Sequence, residues 1–138
     1  MWGVAKPLSA AAENRLFQIS LNERSLARSL SSGGLDHLDL AKTARTRFDF
    51  AAIEYVSRFF RDRVHEAKYL MEMNRRAADH DVRQLLIVVD GEGRLDHSEA
   101  ELRQQAVRNH HKWIDAAKVL GCHSIEVDTG SMRVPEER

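Results

Sequence analysis

The run LLIVVD, Leu85 to Asp90, constrains the rest of the chain more than any other segment. Its consecutive aliphatic residues leave no polar side to turn toward water. A strand of this kind is covered on both faces, as in parallel sheets whose crossovers lay helices against them. Partner strands are readable on either side of it. LFQISL (Leu16 to Leu21) alternates Phe17, Ile19 and Leu21 with Gln18 and Ser20, the period of a half-buried strand. AAIEYV (Ala51 to Val56) and SIEVD (Ser124 to Asp128) supply two more short apolar runs.

The segments between these runs have helical spacing. SSGG (Ser31 to Gly34) breaks the chain, and a helix is expected from about Asp39, with Asp39 as its N-cap and Leu40, Ala41, Ala44 and Phe48 on one face. In VHEAKYLMEMNRRAADH, Leu70, Met73, Asn74 and Ala77 share one side and Glu72 pairs with Arg76 on another. Ser98 and Glu101 have the spacing of a capping box. The helix they would open runs to about Leu120, with Leu102, Ala106, Trp113, Ala117 and Leu120 along a stripe and Gly121 at the left-handed C-terminal position. This alternation predicts an α/β fold of four parallel strands and three crossover helices over residues 16–128. A small doubly wound sheet and half of an eight-stranded barrel both fit; a whole barrel takes roughly 250 residues. Residues 1–15 read as a flexible N-terminus, with Ala10-Ala11-Ala12 as the alternative tail of a trimmed export signal, and residues 129–138 as a loose tail.

Composition narrows the partners. Lys plus Arg and Asp plus Glu both number 21, which gives no electrostatic reason to expect nucleic acid but leaves a local basic patch open. No apolar run approaches the roughly 20 residues of a spanning helix, so no membrane partner is expected. The single cysteine permits no internal disulfide. A cytoplasmic location is expected, with export as the alternative.

In a barrel the chemistry lies at the C-terminal ends of the strands. There the candidates are Glu54 on the second strand, Asp90 and Glu92 at the end of the third, and Glu126 and Asp128, which share a face of the fourth. Such carboxylates bind hydroxyls, orient a base or hold a cation. Each also has a plainer reading as a capping, solvated or ion-paired acid. Asn22 and Glu23 either line a pocket or begin a loop. DGEG (Asp90 to Gly93) lacks the spacing of a phosphate loop and reads as a flexible strand-to-helix connection. Adjacent His110 and His111 point about 100° apart on a helix and cannot readily share a metal, so packing and solvation account for them. RFFRDR (Arg58 to Arg63) reads as a solvated rim anchored by Phe59 or Phe60, with a phosphate contact from Arg58 as the alternative. Cys122 and His123 fall in a helix-to-strand turn rather than a nucleophile or metal site.

FQISLNERSL, LDHLDLAKTARTRF, AIEYVSRFF, LLIVVDGEG and QAVRNHHKWIDAAKVLGCHSIEVD, in this order and spacing, resemble the N-terminal half of sugar phosphate isomerases/epimerases, the xylose isomerase-like TIM barrels. The resemblance runs from about Phe17 to Asp128. It implies a (β/α)8 barrel acting on a sugar or sugar phosphate with a divalent metal held by a Glu/Asp/His/Glu set on later strands. Those strands have no counterpart here, so the chain is expected to be a truncated fragment, inactive alone and without a tightly bound metal, whose partner is the missing C-terminal half or a second copy. A non-catalytic self-associating half-barrel, a sugar-acid lyase and an abasic-site endonuclease are the alternatives. Asp49 and Asp81 stand where relatives tend to have a turn glycine, and Glu126 and Asp128 where relatives tend to have Arg and Asn.

Overall fold

The computed structural model describes residues 17–129. Strands β1 (Leu21–Asn22), β2 (Ala52–Val56), β3 (Arg83–Val89) and β4 (Ser124–Val127) form one parallel sheet in the order β1-β2-β3-β4. Helices α1 (Ala27–Ser31) and α2 (Leu40–Phe48) lie in the first crossover, α3 (Ala67–Asp79) in the second and α4 (Ala100–Leu120) in the third. This is the α/β alternation that the sequence predicts. The strand order never reverses, so the described sheet has no switch point of the kind that defines a doubly wound fold.

Side-chain parity shows where the layers are. Leu21 pairs with Ile53, Tyr55 with Ile87 and Val89 with Val127. These residues share one core with Leu40, Ala41 and Ala44 of α2, Leu70, Met73 and Ala77 of α3, and Trp113, Ala117 and Leu120 of α4. All three helices therefore cover the same face of the sheet. The opposite parity places Asn22 beside Glu54 and Val88 beside Glu126 on the other face. A sheet wound in one direction with helices on one side is compatible with a barrel wall, and among the described residues β1 and β4 are its two edges.

Trp113 is 0% exposed. An indole of its size buries about 150–250 Å², a stabilisation of about 4–6 kcal/mol. Phe60 meets it edge-on at 5.2 Å between ring centres, so Phe60 is the anchor of the RFFRDR segment. A register shift between Ile53 and Tyr55 puts an extra residue into β3. It keeps Gln84 on the helix side, where Tyr55 Oη donates to its Oε1 and its Nε2 donates to Asn74 Oδ1 and the Leu120 carbonyl.

Several elements differ from the sequence expectation. The first strand is short: Phe17 and Ile19 are 80% and 64% exposed, because only Leu21 and Asn22 reach the neighbouring strand. Leu16 lies outside the described residues. Phe48 is exposed because it ends α2 while Phe50, past the turn, packs against the core instead. Leu102 is exposed as well; the buried stripe of α4 starts at Ala106. Asp39 occupies the N-cap position of α2 without capping it, since its carboxylate accepts from Arg76 at 2.7 Å. The Ser98–Glu101 capping box does not form. Glu99 is the N-cap, the backbone carbonyls of His97 and Ser98 accept from Arg103, and Glu99 N–H donates to His97. The Glu72–Arg76 pair forms as expected, at 2.7 Å.

Gly121 ends α4 at φ 71°, as its position predicts. Asp49 and Asp81 adopt φ 55° and 53°, the left-handed region where a Cβ costs energy. Asp81 is exposed, so backbone conformation dominates substitutions there. Asp81→Gly is expected to leave stability unchanged or raise it by about 0.5 kcal/mol. Asp81→Val should lower it by about 1–3 kcal/mol. Urea midpoints of the two variants, at unchanged m-value, check both.

Candidate functional site

The C-terminal ends of β1, β2 and β3 hold a connected polar cluster. Glu54, in the middle of β2, accepts from Ser20 Oγ and, at 2.9 Å, from Asn22 Nδ2. Asn22 also caps the following turn, its Oδ1 accepting from Arg24 N–H at 3.0 Å. Asp90 follows β3 directly. Its backbone N–H donates to Ser57 Oγ at 2.8 Å, its carbonyl accepts from Arg61, and its carboxylate meets Arg24 at 2.7 Å and Arg58 at 3.9 Å. Three arginines from the loops after β1 and β2 thus converge on one residue. Glu92 is buried, its Oε1 accepting from Trp113 Nε1 at 2.9 Å, its carboxylate paired with Lys112 at 2.9 Å and with Arg61 at 3.8 Å. Burial pushes the Glu92 carboxyl up, but hydrogen bonds from Lys112 and Trp113 outweigh it and hold the group below its ordinary range. Four cations face two carboxylates around Asp90 and Glu92.

The glycines of DGEG have a packing reason. Gly91 and Gly93 both have positive φ, and a Cβ on either would come within 3.0 Å of Arg61 Nη2 or Ala106 Cβ respectively. The loop is drawn tightly between the arginine cluster and α4. Asn109 reinforces this by donating to the Glu92 carbonyl at 3.0 Å.

Of the residues singled out from sequence, Asn22, Glu54, Asp90 and Glu92 gather in or beside this cluster. Glu126 and Asp128 are exposed at the β4 edge. Arg58 lies over the Phe59 ring at 5.1 Å while it faces Asp90. Cys122 and His123 are at the opposite end of the sheet: Cys122 N–H donates to the Ala117 carbonyl and His123 N–H to the Leu85 carbonyl, both at 2.9 Å. An open groove of about 530 Å³ lies at that end, between α3 and α4, but it lacks the polar cluster described above. His110 is a buried residue of α4, its Nδ1 2.7 Å from the Ala106 carbonyl one turn earlier, and His111 is exposed.

The sequence reading named Glu23 as a pocket or loop residue and placed Arg61 in a solvated rim, but it missed Arg24, the contact of Arg61 with Asp90 and Glu92, and the triad built on Glu23. Glu23 is 0% exposed; its Oε2 accepts from Val56 N–H at 2.7 Å. Its Oε1 lies 3.0 Å from His37 Nε2, off the line of an ideal hydrogen bond. His37 Nδ1 is 2.8 Å from Tyr69 Oη, and the imidazole stacks on Phe60 at 5.1 Å. Burial raises the Tyr69 hydroxyl to about 12. It therefore stays a neutral hydroxyl beside the imidazole. Its partners His37 and Val56 lie 14 and 33 positions away in the chain, and Tyr69, which meets His37, lies 46 away, beyond any local pattern.

Among the described residues, no group of three or more His, Cys, Asp or Glu side chains is disposed to hold a metal ion. No helix among them is long and apolar enough to cross a membrane. No protein-family model matches the chain, and no curated protein matches it.

Glu23→Ala should destabilise the fold by about 2–5 kcal/mol, because it leaves the buried Val56 N–H and His37 Nε2 without their acceptor. Glu23→Gln, whose side-chain oxygen can still accept from Val56 N–H, should lose less, which denaturant melts will show. Burial raises the Cys122 thiol from 9.0 to about 11. At pH 8 its thiolate fraction is then roughly 100-fold below that of an unperturbed thiol. Alkylation by iodoacetamide should be correspondingly slow, with a rate that keeps rising above pH 10.

Proposed function

We propose that this chain forms the first half of a (β/α)8 barrel of the sugar phosphate isomerase/epimerase type, acting on a sugar or sugar phosphate. The observation that carries this reading is the gathering of Asn22, Glu54, Asp90 and three arginines at the C-terminal ends of strands that wind in one direction. That is where barrel enzymes keep their chemistry. Glu54 is a fixed acceptor suited to a hydroxyl. Arg24, Arg58 and Arg61 provide more positive charge than Asp90 offsets, which suits a phosphate. The described residues do not fit a metal centre. In this reading the metal-holding strands belong to the other half.

A second reading, a non-catalytic half-barrel that pairs with its own copy, draws on a different observation. Both sheet edges, β1 and β4, lack a neighbour among the described residues, and open edges of this kind invite pairing.

Under the enzyme reading, ribose 5-phosphate should shift the side-chain N–H signals of Arg24, Arg58 and Arg61 saturably in NMR titration, and Arg24→Gln with Arg58→Gln should abolish the effect. The chain alone should show neither sugar phosphate isomerisation nor stoichiometric Mn²⁺ binding. Turnover with bound Mn²⁺, or no response of the arginines to the phosphate, would overturn it. Sedimentation separates the two readings: a discrete dimer with silent arginines supports the second.

A further inference from the structure

The two edges of the described sheet differ from each other, and they match layer by layer. Just before β1, Phe17 and Ile19 are 80% and 64% exposed. Ser20 and Asn22 both donate to Glu54 on the face away from the helices, which leaves Ile19 on the helix side with Leu21. At the β4 end, Val107 and Ile114 of α4 are 48% and 52% exposed. They stand three residues before and four after His110, so the three share one face of the helix. His110 lines a cavity together with Asp128, whereas Asn74 of α3 reaches the Val119 carbonyl. Val107 and Ile114 therefore lie on the flank of α4 that turns toward β4. Ile125 and Val127, only partly buried, extend this apolar surface onto β4 itself. On the other face of the sheet both ends are polar, with Ser20 and Asn22 at β1 and the exposed Glu126 at β4. Charge at the rim is opposite: the half-exposed Arg24 follows β1, and Glu126 stands near the end of β4.

We infer that two copies of this chain associate by unlike edges, β1 of each beside β4 of the other, and close an eight-stranded barrel about a two-fold axis. This arrangement rests on the self-pairing reading and specifies its geometry. The strand order runs from β1 to β4 without reversal. A second copy turned about the barrel axis therefore sets its β4 parallel to the first copy's β1, with both helix layers outside. Phe17 and Ile19 then meet the apolar surface of Val107, Ile114 and Ile125, and Arg24 meets Glu126. Four strands from each copy make the eight at which a barrel closes with side chains filling its interior. Like edges do not give this match. A β1–β1 contact about an axis along the strands sets a helix layer against an inner face, and one about an axis through the sheet runs the strands antiparallel. Exposed apolar clusters beside an open edge are the features that association covers. The two-fold makes both contacts at once and leaves no edge, which stops growth at two copies. Each copy thereby adds its Glu126 edge to the wall beside the other's arginines.

The test compares the full chain with two variants, Phe17→Asp with Ile19→Asp at the β1 end and Val107→Asp with Ile114→Asp at the β4 end. All four side chains are exposed within one copy, so far-UV circular dichroism should show both variants folded; Ile19→Ser and Ile114→Ser replace them where it does not. In sedimentation the unmodified chain should run as a discrete dimer. Either variant alone has both contacts impaired, and its dissociation constant should rise at least about 100-fold. An equimolar mixture keeps one intact contact, between the unaltered β4 end of the first variant and the unaltered β1 end of the second. It should form a 1:1 dimer, identified by native mass spectrometry, at concentrations where neither variant dimerises. A monomeric unmodified chain overturns both this arrangement and the self-pairing reading beneath it. A dimer in which one variant still pairs alone, a mixture that stays monomeric, or assemblies larger than two overturn the arrangement and leave self-pairing standing.

Discussion

The interaction on which the rest of this structure leans is the burial of the Glu23 carboxylate. An unpaired charge without solvent contact costs several kcal/mol, so a carboxylate at 0% exposure has to be met from several sides. Val56 N–H meets it from the end of β2, and His37 from the turn that leads into α2. Tyr69 of α3 orients His37 in turn. One acid after β1 thereby registers the second strand and the helices of the first two crossovers. β1 has only two residues in the ladder, and two residue pairs hold little by themselves. The Glu23 network supplies what the short ladder does not, and it does so at the end of the sheet where the polar cluster is built.

Below that end, parity does the sorting. Leu21, Ile53, Tyr55, Ile87 and Val89 turn toward the helices, which commits Asn22, Glu54, Val88 and Glu126 to the other face. The extra residue in β3 matters here. Without the shift, Gln84 would change sides, and Tyr55 Oη and the Leu120 carbonyl would lose the partner that Gln84 gives each of them. Burial raises the Tyr55 hydroxyl well above its ordinary value, so it remains a donor and needs an acceptor. The bulge and the buried phenol thus account for each other.

The last three strands, the helix spans and the left-handed turns were legible in the sequence because each depends on local chemistry, whereas the first strand starts five residues later than its alternation suggests. LLIVVD announces a covered strand, Gly121 a helix end, and Leu70, Met73 and Ala77 a helix face. The caps were less legible. Asp39 and Ser98 have the right type at the right spacing, but Arg76 and Arg103 compete for the groups involved. That competition is a tertiary fact. The site was half legible for the same reason. Glu54, Asp90 and Glu92 follow from strand ends alone, whereas Arg24 reaches Asp90 across 66 positions. His110 was assigned to packing because its neighbour could not share a metal with it.

Charge shows most plainly what a linear reading misses. The chain is formally neutral, with equal numbers of acidic and basic residues, and this balance conceals a polarity along the sheet's C-terminal rim. Arg24, Arg58 and Arg61 come from the loops after β1 and β2; Glu126 and Asp128 belong to the β4 edge. Between them, Asp90 and Glu92 are held by the cations, which leaves positive charge in excess on one side. The other side carries the acidic residues. Charge is thereby divided along one rim, where a uniform balance would cancel it. Net charge governs solubility and non-specific attraction, but recognition depends on where along one edge the charges of each sign are placed. Here the fold, through the order of its strands, sets that placement.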